Sequence, residues 1–258
     1  MHKAKHYKNM RKAKHYKKKE TNIPSIILLC IFIILLFLSG TKIVIWYMNN
    51  QNNKKISDEI SKLDIVDETK EDEKYAVDFG KLKEKNSDVV AWLKVNGTNI
   101  ETTVVKTTDN DYYLTHNFNK EYNSAGWIFA DYKNKLDGTD KNLVIYGHNM
   151  RDNSMFGSLK WVINEDWYNN EDNKYITLIT ENETQVYEVF SVYQIEKEDY
   201  YIQTNFDTEQ EFNTFAQTIK KRSKKDFNVD VNKEDAVLTL STCANNNKYR
   251  VVLHAKKI

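Results

Sequence analysis

Ala236-Val-Leu-Thr-Leu-Ser-Thr-Cys243, the polar stretch Ala244-Asn-Asn-Asn-Lys248, then Tyr249-Arg-Val-Val-Leu-His254: this run near the end of the chain decides the fold. β-Branched and large apolar residues dominate both arms, and polar residues separate them, which is the pattern of two strands joined as a hairpin. Working outward, similar short runs recur at Val89–Val95, Thr102–Val105, Gly126–Ala130, Asn142–Tyr146, Tyr175–Thr180 and Val186–Ile195. Asn96-Gly97 and Asp137-Gly138 supply hairpin-type turns. Two helices interrupt the strands. Val77–Lys85 has Val77, Phe79 and Leu82 apolar, and Glu209–Lys221 places Phe212, Phe215, Ala216 and Ile219 on one face. Many short strands with few helices predict a mainly β fold, a closed or nearly closed barrel with helical insertions.

The chain has 258 residues, with 38 Lys and Arg against 37 Asp and Glu, two cysteines, seven glycines and one proline. That composition excludes a disulfide-rich scaffold, and no Cys/His cluster has zinc-ligand spacing, so no metal or cofactor is expected. The balance of charge hides an asymmetry. Residues 1–19 hold nine basic residues and no acid, leaving 29 basic residues to face all 37 acids in the remainder. An acidic body argues against wrapping nucleic acid.

The basic head contains a duplication, Lys3-Ala-Lys-His-Tyr-Lys8 and Lys12-Ala-Lys-His-Tyr-Lys17. Its readings are a nucleic-acid patch or a juxtamembrane tail that pins topology and touches anionic lipid; the apolar segment that follows favours the second. No charge occurs from Ile23 to Thr41, and Trp46 and Tyr47 close the apolar run. Spanning a bilayer takes roughly 20 apolar residues, with aromatic rings at the boundary. A cleaved signal peptide would be expected to end in an Ala-x-Ala-like site after Leu38, and no alanine follows Leu38 until Ala76. Positive flanks stay inside. The expected plan is a cytoplasmic tail at 1–22, a transmembrane anchor at 23–48, a stalk at 49–74 and an extracellular body at 75–258.

Cys30 lies in the apolar span and reads as a packing residue. Cys243 is the only cysteine of the body, at a strand end that opens into a loop. Its readings are an inert buried thiol or a reactive one, and a reactive thiol needs help to ionise. The body offers His116, His148 and His254. His148 follows the apolar strand Leu143–Tyr146 and a flexible Gly147, which makes it the best placed, with His254 a rival on the last strand. A hairpin would bring Arg250 beside the thiol, where its fixed charge could stabilise an oxyanion.

These residues carry a family resemblance. Thr239-Leu-Ser-Thr-Cys243 with Arg250 on the next strand and Tyr146-Gly-His-Asn149 upstream resembles the sortases. Ile145-Tyr-Gly-His-Asn-Met-Arg-Asp-Asn-Ser-Met-Phe156, Trp92–Thr98, Gly126–Tyr132 and Tyr201–Phe206 look like the class B form, as does the long insertion before the Cys strand. The resemblance implies an eight-stranded β-barrel and a membrane-anchored cysteine transpeptidase of Gram-positive bacteria. Such an enzyme cuts a C-terminal sorting signal of a secreted protein after its Thr, holds a thioester, and passes the acyl group to an amine of a peptidoglycan precursor. It implies that Cys243 is the nucleophile, His148 the general acid/base and Arg250 the oxyanion support. It further implies that Tyr146, Ser241, Thr242, Val105, Tyr201 and Ile202 contact substrate. Thr102-Thr-Val-Val105 departs from the family's Tyr-Pro-Val-like segment, as do Glu101 and Ala244, which bears on signal preference. Two other activities are compatible with the residues: a secreted cysteine peptidase that hydrolyses its acyl-enzyme, and a non-catalytic wall-binding module.

Overall fold

The computed structural model describes residues 23–62, 77–244 and 248–258; for Cys243 and Ala244 the description is of backbone alone. Helix α1 (Ile23–Ser61) divides between two compact units. Its first part, up to Ile45, is an apolar helix with exposed side chains: Leu28, Phe37 and Ile43 are each more than 60% exposed. The helix is long and apolar enough to cross a membrane.

From Trp46 onward α1 belongs to the second unit. Asn50, Asn53, Ile56 and Ile60 are buried at helical spacing. The Asn53 amide donates to the Gly126 carbonyl at 3.0 Å and its oxygen accepts from Asn123 at 2.7 Å. Ile56 and Ile60 enter the main hydrophobic core. Residues 49–61, which the sequence presents as a stalk, are therefore the packed end of a helix; residues 63–76 lie outside the described residues. The short helix α2 (Phe79–Lys85) starts two residues later than the apolar pattern suggests, because the Asp78 carboxylate accepts from the Lys81 amide as an N-cap.

Eight strands close into a barrel: β1 (Val89–Val95), β2 (Glu101–Val105), β3 (Phe129–Ala130), β4 (Asn142–Gly147), β5 (Tyr175–Ile179), β6 (Thr184–Glu196), β7 (Val237–Ala244) and β8 (Tyr249–Lys257). Around the barrel the order is β1-β2-β3-β4-β7-β8-β6-β5. The expected barrel is thus closed. Gly97, at a φ of 69°, makes the turn from β1 to β2. β3 is shorter than its apolar run, because the residues before it have other partners. The Trp127 amide donates to the Tyr113 carbonyl at 2.9 Å, and its indole N–H to the Thr103 carbonyl at 3.2 Å.

The long connection from β6 to β7 carries α4 (Glu209–Lys221). Thr208 caps it by accepting from the Glu211 amide at 3.1 Å. Phe212, Phe215, Ala216 and Ile219 are buried against Phe190, Tyr193 and Val252 in a second apolar cluster.

Two joins in the barrel are parallel, β2 with β3 and β4 with β7. The second one positions the site. Parallel neighbours end on the same side, and the register pairs Tyr146 with Ser241 and Gly147 with Thr242. The next residue of β7, Cys243, therefore lies beside His148, the first residue after β4. β8 returns antiparallel to β7 and sets Arg250 directly opposite Cys243, a pairing with about 4.5–5.5 Å between Cα atoms.

Candidate active site

A cleft of about 220 Å³ opens at this end of the barrel, with His148, Tyr146, Tyr201, Ile202, Thr242 and Arg250 among its walls. Among the described residues the half-buried His148 ring makes one hydrogen bond, from Nε2 to the Leu114 carbonyl oxygen at 2.8 Å. A carbonyl only accepts, so Nε2 carries a proton, and Nδ1 is the nitrogen free to exchange one. The loop after His148 folds back on it: the amides of Met150 and Phe156 both donate to the His148 carbonyl at 3.0 Å. Gly147 permits that fold, since a Cβ there would approach the Phe156 ring to 2.7 Å.

Arg250 lies half-buried on β8, with Nη1 donating to the Tyr249 carbonyl at 3.3 Å. Its register partners are Cys243 on β7 and Ile195 on β6. Beside it, Ser241 and Thr242 are buried, at 3% and 2% exposure. Ser241 Oγ and Tyr201 Oη are hydrogen-bonded at 3.0 Å, joining the floor of the cleft to its wall. Tyr201 and Ile202 lie on a 3-10 turn (Tyr200–Ile202) between β6 and α4. Val105 is placed differently: it is fully buried in the core and is not among the cleft-lining residues.

Tyr146 donates to the Asp131 carboxylate at 2.8 Å, and Asn110 donates to the same oxygen at 2.8 Å. Burial, reinforced by the Asp131 charge, pushes the Tyr146 phenol far above its ordinary range, so it stays protonated as the donor. Asp131 and Asn110 thereby hold one side of the cleft. Sequence reasoning gave neither a role: Asp131 lies within Gly126–Tyr132, yet nothing in that run shows which side chain its carboxylate meets. The Leu114 carbonyl, being backbone, leaves no residue-type signal at all.

The three histidines separate by environment. His116 stacks on Tyr112 with ring centroids 4.1 Å apart and hydrogen-bonds the Tyr112 carbonyl; it is not among the cleft residues. His254 is fully buried, and burial pushes its pKa down to about 3. Thr239 Oγ1 donates to Asn142 Oδ1 at 2.6 Å, so it accepts from His254 Nδ1 at 2.8 Å. His254 Nε2 then accepts from Tyr193 at 2.8 Å, and Tyr193 accepts from Tyr200 at 3.1 Å. Asn142 Nδ2 closes the circuit by donating to the carbonyls of Tyr201 and Gln203. The chain of bonds begins and ends on the turn that walls the cleft. His254 is thus a neutral structural residue, and His148 alone of the three lines the cleft.

The described residues contain no group of three or more His, Cys, Asp or Glu able to hold a metal ion. A cysteine, a histidine with one free nitrogen and an arginine at one barrel end are the parts of acyl transfer through a thioester.

Comparison with known proteins identifies the family. The sortase domain model matches residues 93–258. Sortase B of Listeria monocytogenes is 34% identical over 226 residues, covering 85% of this chain and 91% of its own. A mutant form of Clostridium perfringens sortase B superposes with a TM-score of 0.73 at 37% identity, over 80% of this chain and 98% of that one. A Staphylococcus aureus sortase B–substrate complex gives 0.65 at 33% identity, over 70% and 84%. The chain belongs to the sortase family of cysteine transpeptidases. Within that family its relatives and its fold are those of class B.

Proposed function

We propose that Cys243 is the nucleophile, His148 the proton carrier and Arg250 the oxyanion support of a transpeptidase that works on a C-terminal sorting signal. The parallel register of β4 and β7, with Arg250 across from Cys243, carries this reading. The Cys243 thiolate attacks the carbonyl carbon of the signal's Thr. An S–C bond forms, the scissile C–N bond breaks, and the proton on His148 Nδ1 passes to the leaving amine. The Arg250 guanidinium holds the oxygen while it is negative, a contribution worth about 3 kcal/mol where such donors have been removed. An amine of a peptidoglycan precursor then attacks the thioester. Its nitrogen takes the acyl group, His148 takes its proton, and the sulfur leaves as thiolate.

The Tyr201 and Ile202 wall and the Ser241–Thr242 floor contact the signal in this reading. Residues 23–48 span the membrane once, the basic tail stays cytoplasmic against anionic lipid, and the body works outside. The test is cleavage of a sorting-type peptide by the full chain, with and without an added amine. Cys243→Ala and His148→Ala each abolish cleavage, whereas Cys30→Ala does not. Full turnover in either site variant removes that residue from the mechanism.

A further inference from the structure

A second cavity, of about 480 Å³, lies apart from the cleft in the same unit, between the packed end of α1 and the body. Its walls are the α1 face from Asn50 to Asp58, the start of β2, and the tip of the loop that follows His148. Three buried side-chain oxygens among the described residues have no hydrogen-bond partner: Asn50 Oδ1, Thr102 Oγ1 and Asn153 Oδ1. All three residues line this one cavity. Asn50 and Thr102 are 6% and 7% exposed. Leaving a buried polar atom unpartnered costs its full desolvation, so orphans gathered in one place mark a site shaped for something else.

The chemistry of the walls says what that is. Two of the orphans, the Asn50 and Asn153 amide oxygens, only accept, and the Thr102 hydroxyl can accept as well as donate, so a ligand that satisfies all three at once brings hydrogen-bond donors. The charged lining is acidic on balance: Asp58, Glu101 and Asp152 against Lys54. Glu101 is already paired with Lys94 at 3.1 Å, and Asp152 accepts from the Ser154 hydroxyl and amide. Asp58 is left without an ion-pair partner among the described residues, at the exposed edge of the cavity. A primary ammonium has three donors and no acceptor, matching the orphans in number and the lining in sign. A phosphate or carboxylate could take the Thr102 hydroxyl as a donor but would set acceptor against acceptor at Asn50 and Asn153.

We infer that this cavity binds the primary ammonium group of a short peptide. The inference rests on the transpeptidase reading, in which the second substrate is an amine; the cavity would capture that substrate class before transfer. The fold supplies a physical link. The loop whose tip walls the cavity is tied at both ends to the His148 carbonyl through the Met150 and Phe156 amides. The volume suits two or three residues, within the about 300–1,000 Å³ usual for ligand sites.

The test is calorimetric titration of the full chain in detergent, carrying Cys243→Ala so that no turnover occurs. Triglycine is the probe, with N-acetyl-triglycine, which lacks the ammonium, as its control; phosphoethanolamine tests for a lipid headgroup instead. Triglycine should bind, and its acetylated form at least about tenfold more weakly, the loss expected for charge-assisted bonds. Thr102→Val should weaken triglycine about fivefold, the worth of one hydrogen bond, and Thr102→Ser should restore it. Equal binding of the two tripeptides, no binding at all, an unchanged affinity in Thr102→Val, or preference for phosphoethanolamine overturns the inference. The comparison of ligands needs no cavity variant, so a misfolded Thr102→Val does not remove the test. Cleavage of a sorting-type peptide by the unsubstituted chain is scored separately. Cleavage without triglycine binding sinks only the cavity, and binding without cleavage sinks the transpeptidase reading.

Discussion

In the mechanism proposed for His148, one hydrogen bond selects the nitrogen: with Nε2–H committed to the Leu114 carbonyl, Nδ1 is the one that would give a proton to a leaving amine and take one from an incoming amine. Arg250 sets the second requirement at this scale. Arg250→Lys keeps the charge but replaces a planar fork with a point donor, so kcat should fall at least about tenfold, the effect of 1.4 kcal/mol on a barrier. Steady-state kinetics with a sorting-type peptide checks this, and near-unchanged rates would remove the guanidinium from the reaction. Tyr201→Phe deletes the bond to Ser241 and should raise KM about fivefold, the worth of one hydrogen bond, with kcat little changed. A selective fall in kcat would instead place the phenol in the chemistry. The sequence makes Cys243, His148 and Arg250 readable because each sits at a strand end or within a short hairpin. It leaves His148 and His254 as rivals because one follows a strand and the other lies on the strand that carries Arg250. Burial separates them, and burial depends on Tyr193, Thr239 and Asn142, which come together only in the closed barrel.

At the scale of elements, the His254 circuit ties the 3-10 turn at Tyr200–Ile202 to β4, β6 and β7. His254 is held neutral in the fold, with its pKa pushed down to about 3, against the ordinary 6.5 of an unfolded chain. Between those values the unfolded state binds the extra proton, so stability falls as pH drops from about 6.5 to 3. The slope from this one group is up to about 1.4 kcal/mol per pH unit. Urea melts from pH 7 to 4 should show that slope, and His254→Gln should flatten it; an identical slope in the variant would mean that other groups set the acid limit. The packed end of α1 makes a second prediction. Ile60 is 1% exposed within the main core, so Ile60→Ala should cost about 2–5 kcal/mol. An unchanged midpoint would make residues 49–61 a free stalk. Ile56 and Ile60 stand four residues apart in the sequence, the spacing of one helix face. What that face meets is not readable there, because Asn123 and Gly126, which hold the neighbouring Asn53, lie far along the chain. β3 shows the converse: its apolar run promises five residues of strand, and the bonds of Trp127 to Tyr113 and Thr103 take the first three away.

For the whole molecule, the order of segments from basic tail through apolar helix to acidic body proposes a catalytic barrel on the outer side of a membrane. External protease on sealed, right-side-out vesicles should destroy the body while sparing the apolar helix; a protected body would reverse the orientation. The barrel itself was legible from strand periodicity and turn residues, and its closure accounts for the way the site assembles. A parallel β4–β7 pair puts two strand ends together, and the β7–β8 hairpin brings the third group across. Intact-mass spectrometry of the full chain incubated with a sorting-type peptide tests that assembly most directly. The account predicts an acyl adduct on Cys243, absent in Cys243→Ala, that disappears when an amine is added while a peptide–amine conjugate forms. An adduct on another residue, or cleavage that persists without Cys243, would contradict it.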